Sequence, residues 1–98
     1  MEPKTDAPVR SVQSPSPGRI VLYRLNDYDR VVLKEAGADN PNNGADEAPA
    51  MIVRVFSDTC INLRVFVDGR EPLWVTSKTP GDDEGQWRWP PFVPARIG

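Results

Sequence analysis

Two pairs of side chains in the middle of the chain have the chemistry to bind an anionic ligand with flat rings. Arg54 and Phe56 are two residues apart, as are Arg64 and Phe66, and Asn62 precedes the second pair by two. Residues two apart on a strand share a face. Arginine pairs with phosphate or carboxylate, and aromatic rings stack on bases. The spacing predicts a binding face, with solvated arginines over a second small core as the alternative.

The segment near the C-terminus repeats this chemistry. Trp87 and Trp89 flank Arg88, so an extended backbone would place both indoles on one face and Arg88 opposite. The indoles could stack on a base or a sugar, or could plug the open end of a small barrel. The predicted ligand-binding residues are Arg54, Phe56, Asn62, Arg64, Phe66, Trp87, Arg88 and Trp89.

The sequence offers little support for catalysis or for metal binding. The chain has no His and one Cys, so a Cys–His nucleophile within one chain and a multi-cysteine zinc site are excluded. Asp82, Asp83 and Glu84 carry hard-metal ligands, but such a run on a glycine-flanked loop is typical of a solvated turn. No glycine-rich loop precedes a helix pattern. The expectation is a protein that is not an enzyme, with no cofactor and no metal.

Strand patterns must position these side chains. Apolar and β-branched runs predict strands over residues 19–25, 50–57, 60–67 and 72–77, and a closing extended segment over 87–92. Residues 28–34 are expected to extend the first strand or to form another, and no window favours a helix. The predicted fold is all-β: a small five- to six-stranded SH3-like or OB-like partly open barrel.

Composition divides the chain. Residues 1–17 are rich in Pro and Ser and predict a flexible tail, with a short polyproline II arm on the body or on a partner as the alternative. Residues 18–98 remain as a single domain. Residues 35–49 form an acidic, turn-rich stretch, for which a functional loop, a disordered segment and an insertion tolerated between strands are the alternatives. Residues 78–86 form a second stretch of this kind. In the third strand, Ile61, Leu63, Val65 and Val67 are expected to face the core.

Charge and hydropathy limit the partners. The net charge is −2 and no apolar run approaches the roughly 20 residues that span a bilayer. No membrane partner is expected, and nucleic acid is disfavoured because binding domains of that class are usually basic. A core this small would gain stability from self-association. A dimer or higher oligomer is therefore an alternative to a monomer.

Four segments together resemble a small protein family of tailed bacteriophages and prophages, in which an opening GRIV-x-Y strand, a vNL-x-vF strand and a closing W-x-WP recur. They are residues 17–23 (PGRIVLY), 50–55 (AMIVRV), 61–66 (INLRVF) and 86–91 (QWRWPP). Leu22 stands where members often carry His, and the 35–49 stretch is longer than usual. The resemblance implies a viral protein located in the bacterial host cytoplasm, where small phage proteins often act on host defence.

Three functions follow as hypotheses. The first is counter-defence by sequestering a small anionic ligand, such as a cyclic oligonucleotide or an ADP-ribose-type immune signal. The second is inhibition of a host defence protein, a nuclease or a CRISPR component, by the acidic loops 35–47 and 82–84, which would mimic nucleic acid. The third is an accessory role in the virion, with an edge strand as the docking site.

Overall fold

The computed structural model describes residues 13–91, and these form a mostly β fold, as predicted. The strands are β1 (Ile20–Arg24), β2 (Glu47–Ser57), β3 (Cys60–Val65), β4 (Leu73–Lys78) and β5 (Trp87–Arg88). They make one antiparallel sheet in the order β4-β3-β2-β1-β5. Residues 1–12 of the predicted tail, and residues 92–98, lie outside the described residues. Within the rest of that predicted tail, Pro15 is buried.

The sheet is rolled, so that its two edges approach each other at one end. Just after β4, the carbonyl of Thr79 accepts a hydrogen bond from the backbone N–H of Trp87 at 3.2 Å, and Gly81 N–H donates to the carbonyl of Trp87 at 2.9 Å. The Trp87 indole also donates to the carbonyl of Lys78 at 3.1 Å. The partly open barrel therefore closes at the Lys78 end of β4.

A helix, α1 (Asp27–Glu35), follows β1, and the predicted strand over residues 28–34 is wrong. The helix begins with a capping box: Asn26 Oδ1 accepts from Asp29 N–H at 2.8 Å, and Asp29 Oδ2 accepts from Asn26 N–H at 3.0 Å. Leu33 is buried on its inner side. The cap and the packing outweigh the β preference of the neighbouring Val31 and Val32.

One face of the sheet, the inner face, forms the core with α1. The expected inward set of β3 is confirmed, because Ile61, Leu63 and Val65 are buried and Val67 packs against them. The buried apolar residues of the other strands are Val21, Tyr23, Ala48, Ala50, Ile52, Leu73, Val75 and Trp87. We call the opposite side the outer face; it carries Arg64 and Trp74.

The stretch between α1 and β2 is ordered around one buried amide. A short 3₁₀ turn (Pro41–Gly44) places Asn42 against the end of the sheet, and β2 begins at Glu47. Asn42 Nδ2 donates to the carbonyls of Ala45 and Glu47 at 3.1 and 2.9 Å. Its Oδ1 accepts from Asp68 N–H at 2.7 Å. The loop is thereby fastened to the segment after β3.

Candidate ligand-binding face

A β-bulge decides where Arg54 lies. In regular alternation Arg54 would share a face with Ile52, which is buried in the core. The register shifts between these two residues, so that Val53 is the extra residue and Arg54 lies opposite Asn62. Arg54 therefore reaches the outer face with Asn62, as the sequence predicted. Ile52 stays in the core although it is two residues from Arg54, because the bulge separates the two.

The centre of the outer face is a row across four strands. Met51 lies opposite Ile20 on one side and opposite Arg64 on the other, and Arg64 lies opposite Trp74. Arg64 is exposed and forms no ion pair with any residue between 13 and 91. The Trp74 side chain is 55 % exposed although it is large and apolar. The row thus presents an unpaired guanidinium beside an open indole.

Two phenylalanines are exposed beyond this row, Phe66 just after β3 and Phe56 near the end of β2. Phe66 follows β3, where its N–H donates to the carbonyl of Pro49 at 2.8 Å, and its side chain is 49 % exposed. Phe56 is 55 % exposed, and the guanidinium carbon of Arg54 lies 5.3 Å from the centre of its ring. This cation–π contact aligns the Arg54 head with a ring that solvent still reaches.

Asn62 has a structural partner. Its Oδ1 accepts a hydrogen bond from the backbone N–H of Ser77 at 2.8 Å. Ser77 has a positive φ of 53°, at a second register shift between β3 and β4. The Asn62 amide therefore stabilises this irregular strand end, which leaves its nitrogen and the second lone pair of its oxygen to contact a ligand.

Arg88 also lies on the outer face, but its guanidinium is bound in an ion pair with Glu47. Its Nε donates to Glu47 Oε2 at 2.9 Å and its Nη2 to Glu47 Oε1 at 3.0 Å, a two-pronged ion pair that spans β1. This hydrogen bonding lowers the pKa of the Glu47 carboxyl. Arg88 is three strands from Arg64, which corresponds to about 14 Å across the sheet. It therefore does not join the row around Arg64.

The tryptophans of the closing segment lie elsewhere. Trp87 is 2 % exposed in the core, so its ring cannot stack on a ligand in this fold. Trp89 packs edge-on against it with ring centres 5.7 Å apart, and the Arg19 guanidinium lies 5.0 Å from the Trp89 ring. Their arrangement matches the alternative weighed from the sequence, in which these rings plug the barrel.

Trp74 is the residue of this face that sequence reasoning missed. The signal was present, since the alternation of Leu73, Trp74 and Val75 places two buried residues around one that must point outward.

Over residues 13–91, no three Cys, Asp or Glu side chains are grouped to hold a metal ion. No helix in that same range is long and apolar enough to cross a bilayer.

Comparison of the chain with protein-family models, with curated proteins and with solved structures finds no match in any of the three. The case for a function therefore rests on the outer face itself.

Proposed function

We propose that this protein is a non-catalytic binding protein whose outer face captures a small anionic ligand with flat rings. The observation that carries the proposal is that Arg64, which forms no ion pair within residues 13–91, lies beside the exposed Trp74. A phosphate would pair with the Arg64 guanidinium while a base stacks on the indole. Arg54 and Phe56 repeat this combination at the end of β2, which suits a ligand with more than one phosphate and base.

A cyclic oligonucleotide or an ADP-ribose-type signal has this chemistry. Capture of such a signal would make the protein a counter-defence factor in a bacterial host, in line with the resemblance to phage proteins. The outer face is open rather than concave, whereas small-ligand sites usually enclose their ligand. A second copy laid over the face would supply the missing wall, so the proposal includes self-association on ligand binding.

Thermal unfolding with a panel of nucleotides tests the proposal. A ligand present at about 1,000 times its dissociation constant adds roughly 4 kcal/mol to stability, which raises the midpoint by more than 10 °C. Arg64→Ala and Trp74→Ala should each weaken binding at least tenfold. Arg70→Ala, which removes an exposed arginine from the loop after β3, is the matched control. The proposal fails if no compound raises the midpoint, or if the first two variants bind as the control does.

A second candidate, inhibition of a basic host protein, draws on the acidic loops. Leu25 N–H donates to the carbonyl of Asp46 at 2.9 Å, and Gly85 N–H donates to the carbonyl of Arg24 at 2.7 Å. The two loops are therefore fixed on either side of the end of β1, which places Asp46 and the 82–84 run at the same end of that strand. Arg30 offsets part of this charge because it pairs with Asp46 at 3.3 Å and with Asp27 at 3.7 Å.

A charge-neutral variant tests this candidate better than a loop deletion, because Asn42 makes the first loop part of the fold. The triple change Asp82→Asn, Asp83→Asn and Glu84→Gln should abolish salt-sensitive capture of a purified basic nuclease of the host. Retained capture by this variant would exclude the acidic loop 82–84 as the inhibitory surface.

A further inference from the structure

A cavity of about 330 Å³ lies between α1 and β4 and shares Trp74 with the outer face. From β4 it is lined by inward residues, Leu73 and Val75, and by outward ones, Trp74 and Thr76. A space that touches both sets must run along the edge of the strand, because side chains of opposite parity meet only there. We call this space the edge groove.

The backbone along the edge groove is open to pairing. Among the described residues, β4 is paired with β3 on one side, and no strand pairs with its other side between Leu73 and Ser77. An unpaired edge of this kind is a template for an added strand. At the far end the groove is closed, because the Lys78 carbonyl accepts from the Trp87 indole and Thr79 is bonded to the Trp87 backbone.

The opposite wall limits what can enter. It consists of Tyr28, Asp29 and Val32 of α1. The helix is fixed there by its capping box and by the buried Tyr23 hydroxyl, which donates to Asp29 Oδ2. Because α1 occupies the inward side of the edge, there is room for one extended segment. A second copy of the rolled sheet would bring its own helix and core into the same space.

A β-bulge at Ser77 turns the side chain of Lys78 toward the closed end of the edge groove. Regular alternation would turn Lys78 outward with Trp74 and Thr76, but the register shift near Ser77 puts Lys78 opposite the buried Ile61. Its Nζ lies 5.9 Å from the centre of the buried Tyr23 ring. No carboxylate between residues 13 and 91 forms an ion pair with Lys78. Within residues 13–91 the groove thus ends at an ammonium group that forms no ion pair. Asp29, the carboxylate that lines the groove, accepts a hydrogen bond from the Tyr23 hydroxyl instead.

We propose that the edge groove binds the C-terminal peptide of a partner protein as an added strand beside β4. The peptide runs parallel to β4, so that its terminal carboxylate meets Lys78 where the groove closes. Its inward side chains contact Val32 and Val75, and its outward ones contact Trp74. The preferred ligand has an apolar residue at or next to its C-terminus. This proposal does not depend on the nucleotide-binding proposal for the outer face. The two surfaces share Trp74 but differ in their charged group, which is Lys78 here and Arg64 there.

A displayed library of random heptapeptides with free C-termini provides the probe. Fluorescence polarisation then compares the best selected peptide with its C-terminal amide. We expect amidation to weaken binding at least tenfold, and Lys78→Met to weaken binding of the free acid by a similar factor. Lys78→Arg should retain most of the affinity. Lys34→Met, which removes an exposed lysine near the end of α1, is the matched control.

The amide comparison needs no variant, so the proposal remains testable even if Lys78→Met fails to fold. In ¹H–¹⁵N spectra, the added strand should shift the backbone amides of residues 73–77 and of α1. Failure to select any peptide, equal binding of acid and amide, or shifts confined to the outer face around Arg64 would each overturn the proposal. Lys78→Met should leave nucleotide-induced stabilisation unchanged, which separates this result from a failure of the outer-face proposal.

Discussion

Replacing Asn42 by Ala should be among the most damaging single changes in a loop of this protein. The substitution removes three hydrogen bonds, to Ala45, Glu47 and Asp68. Each contributes about 1 kcal/mol net, and the backbone groups left behind are partly shielded from water. The loss is about 3 kcal/mol, a large part of the 5–15 kcal/mol by which small domains are stable.

Asn43 supplies the matched control. It has the same positive φ of 51° as Asn42, but its side chain is exposed and makes one long contact, 3.5 Å to Asp68. Asn43→Ala therefore tests the backbone strain almost alone, at about 1 kcal/mol or less. Glycine accepts positive φ freely. Asn42→Gly should consequently remain strongly destabilised while Asn43→Gly is close to neutral.

Thermal and urea unfolding measure the difference. At about 4–8 °C per kcal/mol, Asn42→Ala should lower the midpoint by roughly 12 °C or more, and Asn43→Ala by well under 8 °C. If the two alanine variants unfold within about 4 °C of each other, the hydrogen bonds of Asn42 do not hold the loop, and the reasoning is refuted.

Three further changes address the helix and the ion pair. Asn26→Ala removes the cap of α1 and should cost about 1 kcal/mol in urea unfolding; no loss would refute the capping role. Burial and the bond to Asp29 raise the pKa of Tyr23 above its usual 10, so native stability should fall above pH 10 by about 1.4 kcal/mol per pH unit. Tyr23→Phe should remove that slope, and a slope that survives would contradict the assignment. Arg88 lowers the pKa of Glu47 in the folded protein. The ion pair therefore contributes to stability at neutral pH, and this contribution is lost as the pH falls below 4.5, the usual pKa of a glutamate. The midpoint difference between the native protein and Glu47→Gln should therefore shrink between pH 7 and pH 3, and a constant difference would argue against it.

The strands were predictable because their pattern is local. The β-branched run of β1 and the alternation in β3 each carry their own period, and the buried face of β3 follows from Ile61, Leu63 and Val65. The helix was not found because only its start carries a clear signal. Asn26 and Asp29 have the spacing of a capping box, while the adjacent Val31 and Val32 favour a strand.

The candidate site was predictable in part for a similar reason. Period-two spacing identified Arg64 and Phe66 correctly as outward residues, but it cannot locate an extra residue in a strand. The bulge at Val53 depends on how β2 and β3 pair, which is a property of two segments together. The burial of Trp87 was not predictable for the same reason, because nothing within its own segment indicates that its indole fills the core beside β1.

The position of β5 has a consequence for the order in which the protein can be completed during synthesis. β1 is the first strand made and β5 the last, yet the two are neighbours, with Leu22 opposite Arg88. A nascent chain that ends before Trp87 has β1 as an exposed edge and lacks the largest buried side chain. The core therefore closes only after residue 88 has left the ribosome, so the sheet is completed once all five strands of residues 13–91 have been made rather than strand by strand.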